Sequence, residues 1–141
     1  MKDNWDIILT TTPLKQDVSD AAPPTHDSGA TVVFGGTVRK VNNSHPVVHL
    51  EFEAYEPMAV KELERIFAVT ESQWEVFSLL LHHRLGTVLP GELAVLVRVT
   101  CRHRKSAFEA CAFIMDELKK SVPIWKKEVF SNGESWVSPT P

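Results

Sequence analysis

Between His103 and Glu128 the chain reads HRKSAFEACAFIMDELKKSVPIWKKE, and this stretch limits the folds open to everything else. Advancing about 100° per residue from Ala107 gathers Phe108, Cys111, Ala112, Ile114, Met115 and Leu118 into one apolar arc, the signature of a helix packed on another layer. Lys119 falls inside that arc, in line with Met115, Ala112 and Phe108, whereas Lys120 points about 100° away beside Asp116 and Glu109. A cation on the apolar side has two explanations. Either its stem covers apolar surface while the ammonium reaches water at the helix end, where the macrodipole favours positive charge, or it serves a site. Pro123 closes the helix, since it lacks an amide hydrogen and pushes Val122 toward an extended conformation. Alternation beyond it puts Lys126 on the face of Ile124 and Glu128, and Lys127 on the face of Trp125 and Val129. Lys119 and Lys126 are then positioned to flank one pocket.

The layer that such a helix needs is supplied by strands. Glu92 to Thr100 alternates Leu93, Val95, Val97 and Val99 against Ala94, Leu96, Arg98 and Thr100, starting from a Pro90-Gly91 turn and running straight into His103. Val47 to Tyr55 alternates Val48, Leu50, Phe52 and Ala54 against Val47, His49, Glu51 and Glu53. Ala30 to Val38 is β-branched and interrupted by Gly35-Gly36, which predicts a bulge or a close backbone approach. Val41 to Pro46 reads as a polar surface turn. Pro57 opens a second helix through Met58, Leu63, Ile66 and Phe67, and the apolar run from Val76 to Leu81 favours a buried strand within 73–84. Residues 10–29, rich in Thr, Asp, Pro and Ser, read as connection. Strands, helix, strands, helix gives an α+β domain: a largely antiparallel sheet packed with two main helices, with all 141 residues as one domain.

Several chemistries are excluded by the same reading. Gly35-Gly36 lacks the Gly-Lys-Ser/Thr of a phosphate loop, and no Gly-x-Ser-x-Gly elbow occurs. Cys101 and Cys111 form no Cys-x-x-Cys pair, and His82 and His83 would face opposite sides of a strand, so no metal site is expected. The polar, acidic start from Met1 to Asp6 and the lack of any membrane-length apolar run lead to an expectation of a cytoplasmic protein. Net charge is −3, yet residues 98–127 carry eight Lys or Arg against three acids, which makes that segment +5 and the remainder −8. A basic island on an acidic chain suits a compact anion, such as a phosphate or carboxylate, better than a long polyanion. A nucleic-acid-binding module, which would also need aromatic or helix-turn-helix signals, is therefore the weaker alternative.

Five pieces carry a family resemblance: Phe34-x-Gly36-x-Val38-Arg39, LEFEAYEPMA at 50–59, HRLG at 83–86, HRKSAFEAC at 103–111 and LKKSVPIWKKE at 118–128. Between Gly29 and Trp136 the chain resembles the large, catalytic subunits of molybdopterin synthase; residues 1–28 match loosely, and the Asn42–Pro46 loop lacks a glycine expected there. The resemblance implies an α/β-hammerhead fold and a sulfurtransferase of molybdenum cofactor biosynthesis. A small ubiquitin-like carrier subunit would bring a thiocarboxylate on its C-terminal glycine, and two transfers would convert cyclic pyranopterin monophosphate to molybdopterin. No metal or cofactor of its own is implied. Substrate positions carried over are Thr37, Val38, Arg39, His103, Arg104, Lys119, Lys126, Lys127 and Glu128, with Lys119 and Lys126 as the catalytic pair. In the family His103 and Arg104 reach the pocket of a neighbouring copy, which implies a homodimer within a heterotetramer. An idle scaffold that binds the carrier without transferring sulfur is the other class, and the presence of both lysines argues against it.

Overall fold

The computed structural model describes residues 2–15, 26–133 and 135–139. In chain order the elements are β1 (Trp5–Thr10), β2 (Ala30–Thr37), β3 (Val41–Asn42), β4 (His45–Ala54), α1 (Glu56–Gln73), β5 (Val76–Arg84), β6 (Gly86–Val88), β7 (Leu93–Cys101), α2 (Arg104–Ser121), β8 (Ile124–Phe130) and β9 (Ser135–Pro139). One sheet has the order β1-β5-β7-β2, with β1 parallel to β5 and the other pairs antiparallel. The second sheet runs β3-β4-β8-β9 and is antiparallel throughout, with short β6 also paired to β4. The expected α+β architecture with two helices is what forms.

Helix α2 lies across β2 and β7, and α1 packs beside it over β1 and β5. The valines of β7 explain the arrangement: Val95, Val97, Val99 and Cys101 join Ala107, Ala110, Cys111, Ile114 and Leu118 in one buried cluster. Each fully buried aliphatic side chain of this kind contributes about 1.5–3 kcal/mol, so Ile114→Ala is a change the domain would feel. α1 begins with Glu56 and Pro57 in its first turn, an acid where the macrodipole is positive and a proline where no amide partner is lost. His83, fully buried on β5, ties the two sheets together: its ring meets Phe52 of β4 edge-on at 5.0 Å, and its Nδ1 lies 2.7 Å from the Arg84 carbonyl. Burial pushes its pKa down to about 4, which keeps the imidazole neutral and leaves Nδ1–H to donate.

Two expectations from periodicity are corrected. The alternation of β4 is not continuous, because the pairing with β8 slips between Val47 and His49. Val48 is the extra residue of a bulge and is exposed, while Val47 turns inward with Leu50 and Phe52. The stripe of α2 is also narrower and rotated: Ala110 is buried, but Phe108 is 62 % exposed and Ala112 is exposed. The reason is the layer beneath, since α2 must meet α1 on one flank as well as the sheet below. Lys119 therefore stands at the edge of the apolar stripe rather than within it. A smaller difference lies at 73–75, where Gln73 still belongs to α1 and the strand starts only at Val76.

Candidate functional site

The Gly35-Gly36 pair acts through proximity. A Cβ on Gly36 would sit 2.8 Å from Val95 Cγ1, so only glycine lets β2 lie this close to β7. The register between them shifts at Gly36/Thr37, where Ala94 of β7 is the extra residue; Thr37 ends β2 opposite Leu93, and Val38 and Arg39 leave the strand. Val38 is then fixed on the Pro90–Glu92 turn, donating its N–H to the Glu92 carbonyl at 3.0 Å and accepting from Gly91 N–H at 2.8 Å. On the other side, the antiparallel register of β8 on β4 places Lys126 opposite Phe52 and Glu128 opposite Leu50. The last two turns of α2 bring in Met115 and Lys119. These elements enclose a cavity of about 170 Å³ with Phe34, Leu50, Phe52, Val95 and Met115 as its apolar walls. Its polar rim is Thr37, Arg39, Asn42, Lys119, Lys126 and Glu128.

The Asn42–Pro46 segment, expected as a surface loop, is a tight hairpin at this rim. Asn42 pairs with His45 and Val41 with Pro46, leaving Asn43 and Ser44 as the two turn residues at φ 51° and 66°. Both are left-handed, as in a type I′ turn, where glycine is the usual second residue and its absence costs strain. The turn aims Asn42 across the cavity: Nδ2 donates to Glu128 Oε1 at 2.6 Å, and Oδ1 accepts from Arg39 Nη2 at 3.4 Å. Nothing in the sequence pattern singles out Asn42. The only signal is an asparagine just ahead of a turn that leads into a long strand.

Of the nine positions expected at the site, six line this cavity: Thr37, Val38, Arg39, Lys119, Lys126 and Glu128. Lys119 is exposed at its mouth, Lys126 is half-buried, and Glu128 is buried. Lys127 points to the opposite face of β8, where its Nζ lies 3.6 Å from Glu51 Oε2. His103 and Arg104 stand exposed at the start of α2, fifteen residues and so about 22 Å from Lys119 along the helix. A single chain does not bring them to the cavity. Lys120 pairs with Glu117 at 3.4 Å, not with the Asp116 that helical spacing suggested. Arg98, counted in the basic segment, is 3 % exposed and belongs to the interior.

Both cysteines are buried, and burial raises each thiol to about 11, so neither is a nucleophile near neutrality. Among the described residues no group of three or more His, Cys, Asp or Glu is placed to hold a metal ion, and no helix is long and apolar enough to cross a membrane. A second cavity of about 370 Å³ adjoins the first at Thr37 and touches Arg84. That guanidinium is turned to the Thr87 carbonyl at 2.7 Å, and its Nε and Nη1 are sealed from solvent, so they offer no donor to a ligand.

Residues 9–121 match the model of a family described as MoaE protein. The chain is 42 % identical over 129 residues to the molybdopterin synthase catalytic subunit of Bacillus subtilis (strain 168), an overlap that covers 92 % of this chain and 82 % of that one. The crystal structure of molybdopterin synthase from Staphylococcus aureus superposes with a TM-score of 0.86 at 32 % identity, over 99 % of both chains. A protein-protein complex of subunits 1 and 2 of molybdopterin-converting factor from Helicobacter pylori 26695 contains a chain that matches with a TM-score of 0.68 at 28 % identity, over 91 % of this chain and 86 % of that one. With sequence and fold agreeing over nearly its whole length, the chain belongs to the MoaE family, that of the molybdopterin synthase catalytic subunits.

Proposed function

We propose that this chain takes sulfur from the thiocarboxylated C-terminus of a small carrier subunit and transfers it, twice, to cyclic pyranopterin monophosphate, giving the dithiolene of molybdopterin. The observation that carries the reading is the cavity in which Arg39, Lys119 and Lys126 converge over apolar walls. Apolar walls suit a flat pterin and a glycine tail, and the cations suit its phosphate and the anionic thiocarboxylate. The thiocarboxylate sulfur bonds to the pterin side chain as an oxygen substituent leaves. Water then attacks the acyl carbon, which carries an oxyanion before the C–S bond breaks to leave sulfur on the pterin and a carboxylate on the carrier. Lys119, at the mouth and on the last turn of α2, is the group to stabilise that charge or to move the proton during sulfur release. Lys126 assists from the β8 wall. Arg39 holds the phosphate, with a guanidinium suited to paired hydrogen bonds.

His103 and Arg104 fit this scheme only if a second copy of the chain delivers them, which is the basis for a homodimer with a carrier at each end. Supporting the carrier itself is the family likeness to a chain from a two-subunit complex. We place the reaction in the cytoplasm, where no membrane contact is required. The direct test is incubation of the chain with thiocarboxylated carrier and cyclic pterin, followed by an assay for the dithiolene. Carrier binding without dithiolene would leave the chain as a scaffold and sink this reading.

A further inference from the structure

Three cations and one carboxylate share the cavity, and the carboxylate is the odd member. Glu128 is 8 % exposed and stands two residues from Lys126 on the same face of β8. A carboxylate in such a setting is drawn to the nearest ammonium or guanidinium, because charges attract more strongly where water is scarce. Every such pairing would cancel a cation that an anionic substrate needs. Yet among the described residues Glu128 has no ion pair. Its hydrogen bond comes from a neutral group, Asn42 Nδ2 at 2.6 Å, while Asn42 Oδ1 faces Arg39 Nη2 at 3.4 Å. Carboxylate on one side and guanidinium on the other fix which way the amide points.

We propose that Asn42 is a positioning residue of this site, whose amide occupies the Glu128 carboxylate and so leaves the charges of Arg39, Lys119 and Lys126 uncancelled for the incoming anion. The identity of that anion rests on the sulfurtransferase reading; the charge argument does not. The hairpin supplies the means, since its left-handed Asn43-Ser44 turn returns the chain within two residues and sets Asn42 directly against β8's carboxylate. The charged or titratable groups facing Asn42 and Glu128 are Arg39 after β2, Lys119 on α2, Lys126 on β8, and His45, the cross-strand neighbour of Asn42. His45 packs edge-on against Phe130 at 5.8 Å.

Two variants test the idea. Asn42→Ala releases Glu128 to swing onto Lys126 or Arg39. Titration of the intact chain with inorganic phosphate and with cyclic pterin should show both anions weakened about tenfold, the scale of one charged hydrogen bond. Carrier affinity should stay near wild type. Asn42→Asp keeps the shape but sets a second carboxylate against Glu128, and two such groups share a proton in acid. Its anion affinity should therefore be near wild type at low pH and fall as pH rises and the shared proton is lost, a limb that the wild type lacks. Wild-type anion affinity in Asn42→Ala, or a wild-type pH profile in Asn42→Asp, overturns the proposal. So does an equal loss of anion binding, carrier binding and rate with a lowered unfolding temperature, which would make Asn42 a merely structural residue. A wild-type chain that binds phosphate but forms no dithiolene overturns the sulfurtransferase reading instead, and the phosphate titrations then judge Asn42 alone.

Discussion

The two ends of α2 are both basic, but local physics accounts for only one of them. At the C-terminal end Lys119 and Lys120 sit in the last turn, where the helix dipole welcomes positive charge. At the N-terminal end His103, Arg104 and Lys105 crowd the positive pole, and the first turn contains no acid to offset them. α1 obeys the usual rule, with Glu56 in its first turn. Lysines at a C-terminus need no function to explain them; cations at an N-terminus do. The start of α2 is thus a pointer to a binding role in its own right, although it is the end that lines the cavity described above.

The largest effect is expected at Lys119. Lys119→Ala should slow single-turnover dithiolene formation by at least about a hundredfold, the scale of removing an oxyanion-stabilising group, with the fold and the carrier complex intact. A folded variant at full rate would reduce Lys119 to an ordinary helix-end lysine. The next effect is on binding: Arg39→Ala and Arg104→Ala should each weaken cyclic pterin by about tenfold to a hundredfold, and carrier binding less. Equal titrations for Arg104→Ala and wild type would remove the N-terminal end from the site. At a cyclic pterin concentration too low for Arg104→Ala to turn over, mixing Arg104→Ala and Lys119→Ala chains should then restore part of the activity, because one copy would donate Arg104 to the intact Lys119 pocket of the other. Proven heterodimers without rescue would require a site within one chain.

Smaller effects sharpen the same contrast. Arg104→Glu should stabilise the chain by about 0.3–1 kcal/mol, since it places an acid at the positive pole, while it weakens the pterin. A fall in thermal unfolding temperature would mean that Arg104 has a structural partner in the assembled protein. Smallest of all is Lys120→Ala, which removes only the exposed contact with Glu117, worth about 0.3–0.5 kcal/mol, and should leave the rate near wild type. A rate loss equal to that of Lys119→Ala would show that the two lysines are not distinguished by the face they occupy.

The site was readable in the sequence where period decides direction. Steps of three and four put Lys119 in line with Met115, and alternation after Pro123 put Lys126 and Glu128 on one face; all four line the cavity. Reading failed where one residue shifts the phase. The bulge at Val48 reverses the inward face of β4 over its first residues, and no periodic pattern marks an extra residue. Phe108 looked buried because periodicity cannot weigh which side of a helix its neighbours cover. Asn42 was invisible for a related reason: its partners Arg39 and Glu128 are assembled by a hairpin and a cross-sheet register, and Glu128 lies 86 residues away. Short β6 and β9 likewise exist as edges on β4 and β8, not as strong patterns of their own.

The two deep-set thiols give this chain an unusual chemical isolation. Cys101 and Cys111 are held protonated within the packing of β7 and α2, on a scaffold that we assign to moving sulfur. On that assignment neither thiol is placed to carry a persulfide, so the sulfur would arrive on the carrier and depart on the pterin. Burial and raised pKa make both thiols poor targets for the electrophiles and peroxides that disable thiol enzymes. Mass spectrometry of the working protein should find its own mass unchanged through turnover, and an alkylating agent that reacts only with accessible thiols should leave it both unlabelled and active.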